Sequence, residues 1–237
     1  MKKRKKKVLI TGASTGIGLS CLMKFKSNGW DVFAHYYEDN KTFRDEVDIN
    51  SIKIFKANFQ SEKDIKLLLN EIKDIRFDAL VNSAGCFDFS IESSDRISSI
   101  KDVFCINTIV PFLIAENVIK NMKKNNFGHI INISSIGVKF GSGMESVFYG
   151  ASKSAIEAIT RTLAREGSKY NVLVNTLRPG ITDTEFYSKI GKDITERVKL
   201  IPLNRAAEAS EIANVIYFLS NDNTFITGQI IPVSGGE

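Results

Sequence analysis

Short apolar runs alternate along this chain with stretches whose apolar residues recur every three or four positions. Val8-Leu9-Ile10 reads as a buried strand closing at Thr11-Gly12. From Gly16 to Asn28, Ile17, Cys21, Leu22, Met23 and Phe25 follow a rough helical stripe that Gly29 stops. Val32–Ala34 and Ser51–Lys56 are the next strands. Ser61-Glu62-Lys63-Asp64 has the spacing of a capping box and opens a helix through Ile72. Ala79–Val81, His129–Ile133, Val172–Val174 and Gln229–Val233 complete the strands, with helices over about Ile97–Lys124, Tyr149–Lys169 and Ser210–Leu219. Strands separated mostly by helices pair in parallel through crossovers, and nearly all-apolar strands fit a sheet covered on both faces. The expected architecture is a single doubly wound α/β domain with a seven-stranded parallel sheet.

Composition narrows the function classes. With 43% hydrophobic and 25% charged residues the 237-residue chain is ordinary for a globular protein. No uninterrupted apolar run approaches the ~18 residues of a membrane span. Three scattered cysteines (Cys21, Cys86, Cys105) without a CxxC, and only two histidines, argue against a disulfide framework or a metal centre. Six of the first seven residues are basic and account for the net charge of +5, so the remainder is near neutral. Residues 1–7 are expected to be a solvated basic arm rather than a nucleic-acid-binding element, and 8–237 the folded domain. The apolar stretch after this arm carries the motif described next, so it is read as retained and the protein as cytoplasmic.

Thr11-Gly12-Ala13-Ser14-Thr15-Gly16-Ile17-Gly18 lies between the first strand and the first helix. A glycine-rich turn there lets backbone approach a pyrophosphate, with helix N–H groups and dipole facing the charge. The same letters match G-x-S-x-G, the nucleophile elbow of hydrolases. That alternative needs a late histidine base. His35 and His129 are the only histidines, and neither falls in a late loop.

Further motifs follow in order: Asn82-Ser83-Ala84-Gly85 after the fourth strand, Asn107 within Cys105-Ile106-Asn107-Thr108, Ser134-Ser135 after the fifth, Tyr149-Gly150-Ala151-Ser152-Lys153, Arg178-Pro179-Gly180-Ile181-Thr182-Asp183-Thr184, and Ser234-Gly235-Gly236 near the end. Together they resemble the short-chain dehydrogenase/reductase family over nearly the whole chain. The resemblance implies a Rossmann-type fold and carbonyl–alcohol interconversion by hydride transfer, with Asn107, Ser135, Tyr149 and Lys153 as catalytic residues. The chemistry suits them. Tyr149 can protonate a nascent alkoxide, and Lys153, four residues on along the same helix face, can move a phenol of pKa ~10 toward the operating pH. Ser135 can hydrogen-bond the substrate oxygen, with Ser134 the fallback for that role. By resemblance, Asn107 holds a water that relays protons to Lys153, which also bonds the nicotinamide ribose. The expected cofactor contacts are Gly12, Ser14, Thr15, Gly16, Ile17, Gly18, Tyr36, Tyr37, Asn58, Phe59, Asn82, Ala84, Gly85, Tyr149, Lys153, Pro179, Gly180, Thr182 and Thr184, with no metal. Two departures stand out: Ser83 replaces the second Asn of the family's NNAG, and the Ser135-to-Tyr149 interval is one residue longer than usual, an extra residue expected within Ser142–Val147 beside the substrate.

No acidic residue occupies Tyr36, where NAD is selected. Glu38 and Asp39 come late, before Asn40, and Lys41 and Arg44 could reach a 2′-phosphate. NADP(H) is favoured, with NAD(H) the alternative. The segment 185–202, with Phe186, Tyr187, Lys189, Ile190, Lys192, Arg197 and Lys199, is expected to be a lid. The resemblance points to 3-oxoacyl thioesters carried on acyl carrier protein, steered by basic rim residues including Lys123, Lys124 and Lys169. Another small alcohol, sugar or steroid is the alternative substrate. A non-catalytic dinucleotide-bound regulator is the remote reading, disfavoured because Tyr149 and Lys153 are both present. A homotetramer is expected, built on helices Ile97–Lys124 and Tyr149–Lys169, whose Ala151, Ala155, Ala158, Ile159 and Thr162, with Ile109, Phe112, Leu113 and Val118, spread beyond one face.

Overall fold

Each apolar run of the sequence becomes a strand of one sheet in the computed structural model, which describes residues 4–38, 41–87, 95–186 and 193–237. In chain order the elements are β1 (Lys7–Thr11), α1 (Gly16–Ser27), β2 (Asp31–Tyr36), α2 (Lys41–Glu46), β3 (Lys53–Lys56), α3 (Glu62–Ile72) and β4 (Ala79–Asn82). After these come α4 (Arg96–Phe104), α5 (Val110–Lys124), β5 (Gly128–Ile133), α6 (Gly137–Phe140), α7 (Val147–Ser168) and β6 (Val172–Pro179). Two short strands β7 (Thr182–Asp183) and β8 (Ala207–Glu208), the helix Ala209–Asn221 and β9 (Ile230–Val233) close the chain. The main sheet is parallel throughout, in the order β3-β2-β1-β4-β5-β6-β9. The winding direction reverses between β1 and β4, which opens a crevice above their carboxyl ends.

Both faces are covered, which explains the unbroken apolar strands. On one face Leu22 and Phe25 of α1 pack with Ile216 and Leu219 of the last helix. On the other, Leu68 and Ile72 of α3 meet Ile114, Val118 and Leu163 of α5 and α7. Truncating a side chain as buried as Leu22 or Ile114 to alanine costs about 2–5 kcal/mol.

Several expectations are corrected. The capping box forms only by half: Ser61 accepts from the Asp64 N–H, but the Asp64 carboxylate accepts from the Asn58 N–H instead. β6 runs on to Pro179, because its polar Asn175 and Thr176 are buried with partners. α7 starts at Val147, ahead of Tyr149, and α2 and the β7–β8 pair were not foreseen. Of the basic start, residues 1–3 fall outside the described residues and Lys5 is exposed, but Arg4, Lys6 and Lys7 are docked. Lys7 opens β1, Arg4 pairs with Asp78 at 2.5 Å, and Lys6 donates to Asn221 and lies over the Trp30 ring.

The helical stretch Arg96–Lys124 is not one regular helix. Cys105–Ile109 forms a π-turn between α4 and α5. Pro111 has no N–H to donate to the Asn107 carbonyl four residues back, so the ladder slips by one residue. By length and mean hydropathy this stretch could cross a membrane, although it has no unbroken apolar run. Its inner residues Val110, Ile114, Val118 and Met122 are buried on the sheet, as a core helix requires.

Candidate active site

The crevice begins where β1 ends. The Thr11 hydroxyl accepts from the Ser83 and Ala84 N–H groups, both at 3.1 Å, and so joins the β1 and β4 loops. Gly12 has φ +64°, and a Cβ there would sit 2.7 Å from the Ala84 Cα, so only glycine fits. A Cβ on Gly18 would collide with the Gly12 carbonyl, so its absence lets α1 pack onto the turn. Thr15 makes no side-chain cap on α1, and the first turn holds no acidic residue. The helix N-terminus therefore presents its N–H groups and positive dipole end to the crevice.

His35 supports this turn from β2. Its Nε2 lies 3.0 Å from the Ala57 carbonyl and its Nδ1 3.4 Å from the Gly12 N. These contacts fit a neutral ring with the proton on Nε2. Burial lowers the His35 pKa to about 4, with the Ala57 hydrogen bond opposing the shift.

The side-chain chemistry comes from the other half. β5 delivers Ser134 and Ser135, and the Ser135 hydroxyl accepts from the Gly137 N–H at 3.2 Å. α7 carries Tyr149 and Lys153 one turn apart on the face toward the crevice. The Lys153 Nζ donates to the Ile133 carbonyl at 2.9 Å and lies 5.8 Å from the Tyr149 ring centroid. Lys153 is 4% exposed, and burial pushes its ammonium from 10.5 down to about 8. Phe87 and Phe186 flank Tyr149, with ring centroids 5.0 and 6.2 Å away.

Asn107 stands at the π-turn. Its Oδ1 accepts from the Cys86 N–H, and its Nδ2 donates to the Cys86 carbonyl and the Ser152 hydroxyl. Ser152 in turn donates to the Tyr149 carbonyl at 2.7 Å. A Cβ on Gly85 would come 3.2 Å from the Lys153 Nζ and 3.3 Å from the Asn107 Oδ1, so this glycine lets the loop approach both.

One cavity of about 240 Å³ brings these groups together. Of the predicted residues, Gly12, Thr15, Gly16, Ile17, Ala84, Gly85, Ser135, Tyr149, Lys153, Pro179, Gly180, Thr182 and Thr184 line it. Others do not. Ser14 and Gly18 are buried in the turn, and Asn107 is buried behind Gly85. Asn82 is a core residue donating to Asn132 and the Pro111 carbonyl. Phe59 is stacked on His35 at 4.1 Å. Tyr36 packs on Phe43, and Tyr37 is 48% exposed. Asn58 turns its Oδ1 to the Gln60 N–H.

Two other expectations change. None of the residues 142–147 lines the cavity; Ser142 packs against Gly150, and Met144 points to solvent. Lys123, Lys124 and Lys169 do not rim the site. They lie where α5 and α7 lead into the amino ends of β5 and β6, at the end of the sheet opposite the crevice. Of the expected lid, Phe186 lines the cavity and Arg197 pairs with Glu237. Tyr187, Lys189, Ile190 and Lys192 fall outside the described residues, as do Asp39 and Asn40.

Sequence reasoning missed Thr11 and Ser152 as supports, and it missed a buried ion pair between Glu157 and Arg178. Glu157 falls four residues after Lys153 on the same helix face, and that spacing was the available signal.

A family model described as enoyl-(acyl carrier protein) reductase matches residues 12–237. A 3-oxoacyl-acyl-carrier-protein reductase of Aquifex aeolicus is 32% identical over 96% of this chain and 95% of its own. The solved structure of ElxO with NADP bound is 28% identical with a TM-score of 0.84, covering 98% of each chain. A 4-hydroxyisoleucine dehydrogenase complexed with NADH is 27% identical at a TM-score of 0.86, again over 98% of each. The glycine turn, the crevice at the winding reversal and the serine–tyrosine–lysine cavity thus meet a match spanning nearly the whole sequence: the chain belongs to the short-chain dehydrogenase/reductase family.

Proposed function

We propose that the protein is an NADP(H)-dependent reductase that converts the ketone of a 3-oxoacyl thioester to a secondary alcohol. The observation that carries this reading is that Ser135, Tyr149 and Lys153 share one cavity with the uncapped end of α1.

A dinucleotide fits the residues present. The uncapped N–H groups at the start of α1 suit a pyrophosphate, and glycine at position 12 lets the turn that presents them close against the Ala84 backbone. Gly12, Thr15, Gly16 and Ile17 would hold it, Lys153 the ribose, and Pro179, Gly180, Thr182 and Thr184 the carboxamide end. When bound, the cofactor supplies a hydride to the carbonyl carbon. The chain's own groups manage the oxygen. Ser135 donates a hydrogen bond to it, and Tyr149 gives it a proton as charge develops. Lys153, charged below about pH 8, favours the phenolate that Tyr149 becomes. The net change is ketone, hydride and one proton to alcohol. A proton then returns to Tyr149 from solvent.

Choice of a thioester substrate rests on the Aquifex relative's name, and choice of NADP(H) on the absent carboxylate at Tyr36 and on ElxO. The basic side chains on the site's side of the sheet include Lys139 after Ser135, and Arg197 and Lys199 in the lid region. The same reading carries a homotetramer. Ala151, Ala158 and Thr162 face outward on α7, and Ile109 is 49% exposed beside the π-turn, whereas Val118 is spent in the core. Light scattering should give about four times the 26.4 kDa chain mass; a monomer mass at micromolar concentration would refute the assembly.

The test is NADPH oxidation with acetoacetyl thioesters, run beside NADH and a panel of small ketones. Turnover with thioester and NADPH, falling above about pH 8 as Lys153 loses its charge, supports the reading. Faster turnover with a non-thioester ketone, or with NADH, overturns its corresponding half.

A further inference from the structure

We infer that the buried Glu157–Arg178 pair is a positioning device for the reaction, holding three segments of the active site in one register; this rests on the reading that Ser135, Tyr149 and Lys153 perform the chemistry. The Arg178 guanidinium grips the Glu157 carboxylate with both prongs, Nε to Oε1 and Nη2 to Oε2, each at 2.6 Å. Ser134 donates to the same Oε1 at 2.7 Å and lies 3.3 Å from the Lys153 carbonyl. The glutamate side chain is 4% exposed and the arginine 21%.

Each member adjoins a cavity residue. Ser134 precedes Ser135 at the end of β5. Glu157 sits one helical turn after Lys153 on α7. Arg178 precedes Pro179 and Gly180 at the end of β6. Backbone bonds already tie β5 to β6 here, from Ser134 N–H to the Leu177 carbonyl and from Ile136 N–H to the Pro179 carbonyl. Among the described residues helix α7 has no backbone ladder to the strands; side chains tie it instead, Thr160 to Asn132 and Thr176 deeper in the sheet, and the ion pair at the end nearest the cavity. Stability alone is a poor account of the pair, because desolvating two charges offsets most of their attraction and apolar replacements of similar volume are often neutral. What an apolar pair lacks is direction. A two-pronged contact fixes the helix against sliding and rotation, and therefore fixes where the Lys153 ammonium and the Tyr149 hydroxyl stand relative to Ser135.

The charge-free double variant Glu157→Leu/Arg178→Met separates position from stability. Thermal unfolding should stay near that of the natural protein, while kcat for reduction of an acetoacetyl N-acetylcysteamine thioester by NADPH should fall about 10²-fold, the cost of a misplacement near 1 Å. KM should stay within about twofold. Competitive labelling with acetic anhydride, read on the Lys153 peptide, should show its titration midpoint rising from about 8 toward 10.5 as water reaches the displaced amine. Recovery of kcat together with unfolding temperature overturns the proposal, and so does an unmoved Lys153 midpoint. Should the double variant not fold, Arg178→Lys keeps the charge without the fork and must still lower kcat at unchanged KM; full activity there overturns the proposal. Labelling needs neither cofactor nor substrate. A natural protein that reduces no thioester therefore defeats the functional reading, and the labelling result still decides the positioning role.

Discussion

The two halves of the crevice are built by opposite means. Above β1 and β4 the site is made of missing side chains: Gly12 and Gly18 let loop, helix and strand come within contact distance, and backbone N–H groups face the space that remains. Above β5 and β6 it is made of buried polar side chains in chains of partners. Ser134, Glu157 and Arg178 form one chain, and Cys86, Asn107, Ser152 and the Tyr149 carbonyl form another. A pyrophosphate asks for space and many weak donors, which backbone supplies without side-chain entropy. Proton transfer asks for one group of tuned acidity at one place, which requires charged side chains held by others. Damage should therefore differ in kind. Removing atoms harms the catalytic half, and adding them harms the binding half.

The sharpest test removes one oxygen. Tyr149→Phe should lower kcat by at least ~10²-fold, as for loss of a general acid, while NADPH affinity from fluorescence titration stays nearly constant. Retained turnover would break the comparison on its catalytic side. Next in size is acid sensitivity of the binding half. His35 has its folded pKa lowered to about 4 against 6.5 when exposed, so between those values the unfolded chain binds more protons. Stability is full above pH 6.5 and is lost as pH falls toward 4, by roughly 2–3 kcal/mol from this ring. Unfolding of His35→Leu across that range should show a correspondingly shallower slope. A parallel slope in both proteins would remove His35 from the account.

Gly12→Ala then adds one methyl group at φ +64°, 2.7 Å from the Ala84 Cα. The expected cost is about 2 kcal/mol of stability. NADPH binding should weaken at least about tenfold, and kcat at saturating cofactor should suffer less. Equal losses in both parameters would merge the two halves into one. The smallest effect is at the end of β2. Tyr36→Asp should move the NADPH-to-NADH preference by about tenfold toward NADH, the scale of one solvated charge near a 2′-phosphate. An unchanged ratio would shift attention to Glu38.

Much of this was legible because the strands are short, apolar and buried on both faces, so each run stood out. The glycine turn was legible for the same reason that it works: glycines at fixed offsets are constrained by space. What escaped notice depended on partners distant in sequence. Glu157 and Arg178 look like ordinary surface charges until the fold brings them to 2.6 Å. Asn175 and Thr176 look like the end of a strand until Ile226 and Thr160 satisfy them. Lys123 and Lys169 seemed available to a partner near the site, and only the direction of α5 and α7 shows that they stand at the amino ends of the strands, away from the crevice. The π-turn was invisible because a fixed periodicity carries no term for a change of pitch.

That turn makes the active site sensitive to chain length as well as to composition. One surplus residue in a helix advances everything beyond it by a hundred degrees about the axis. Residues 96–104 and 110–124 are thus two gears on one shaft, set out of phase by Pro111, with Asn107 at the offset. Deleting a single residue between 105 and 109 could restore a regular helix and an unbroken ladder. It would also turn the Asn107 amide away from Cys86 and Ser152, or the Val110–Met122 stripe away from the sheet. A more regular helix would then make a worse enzyme.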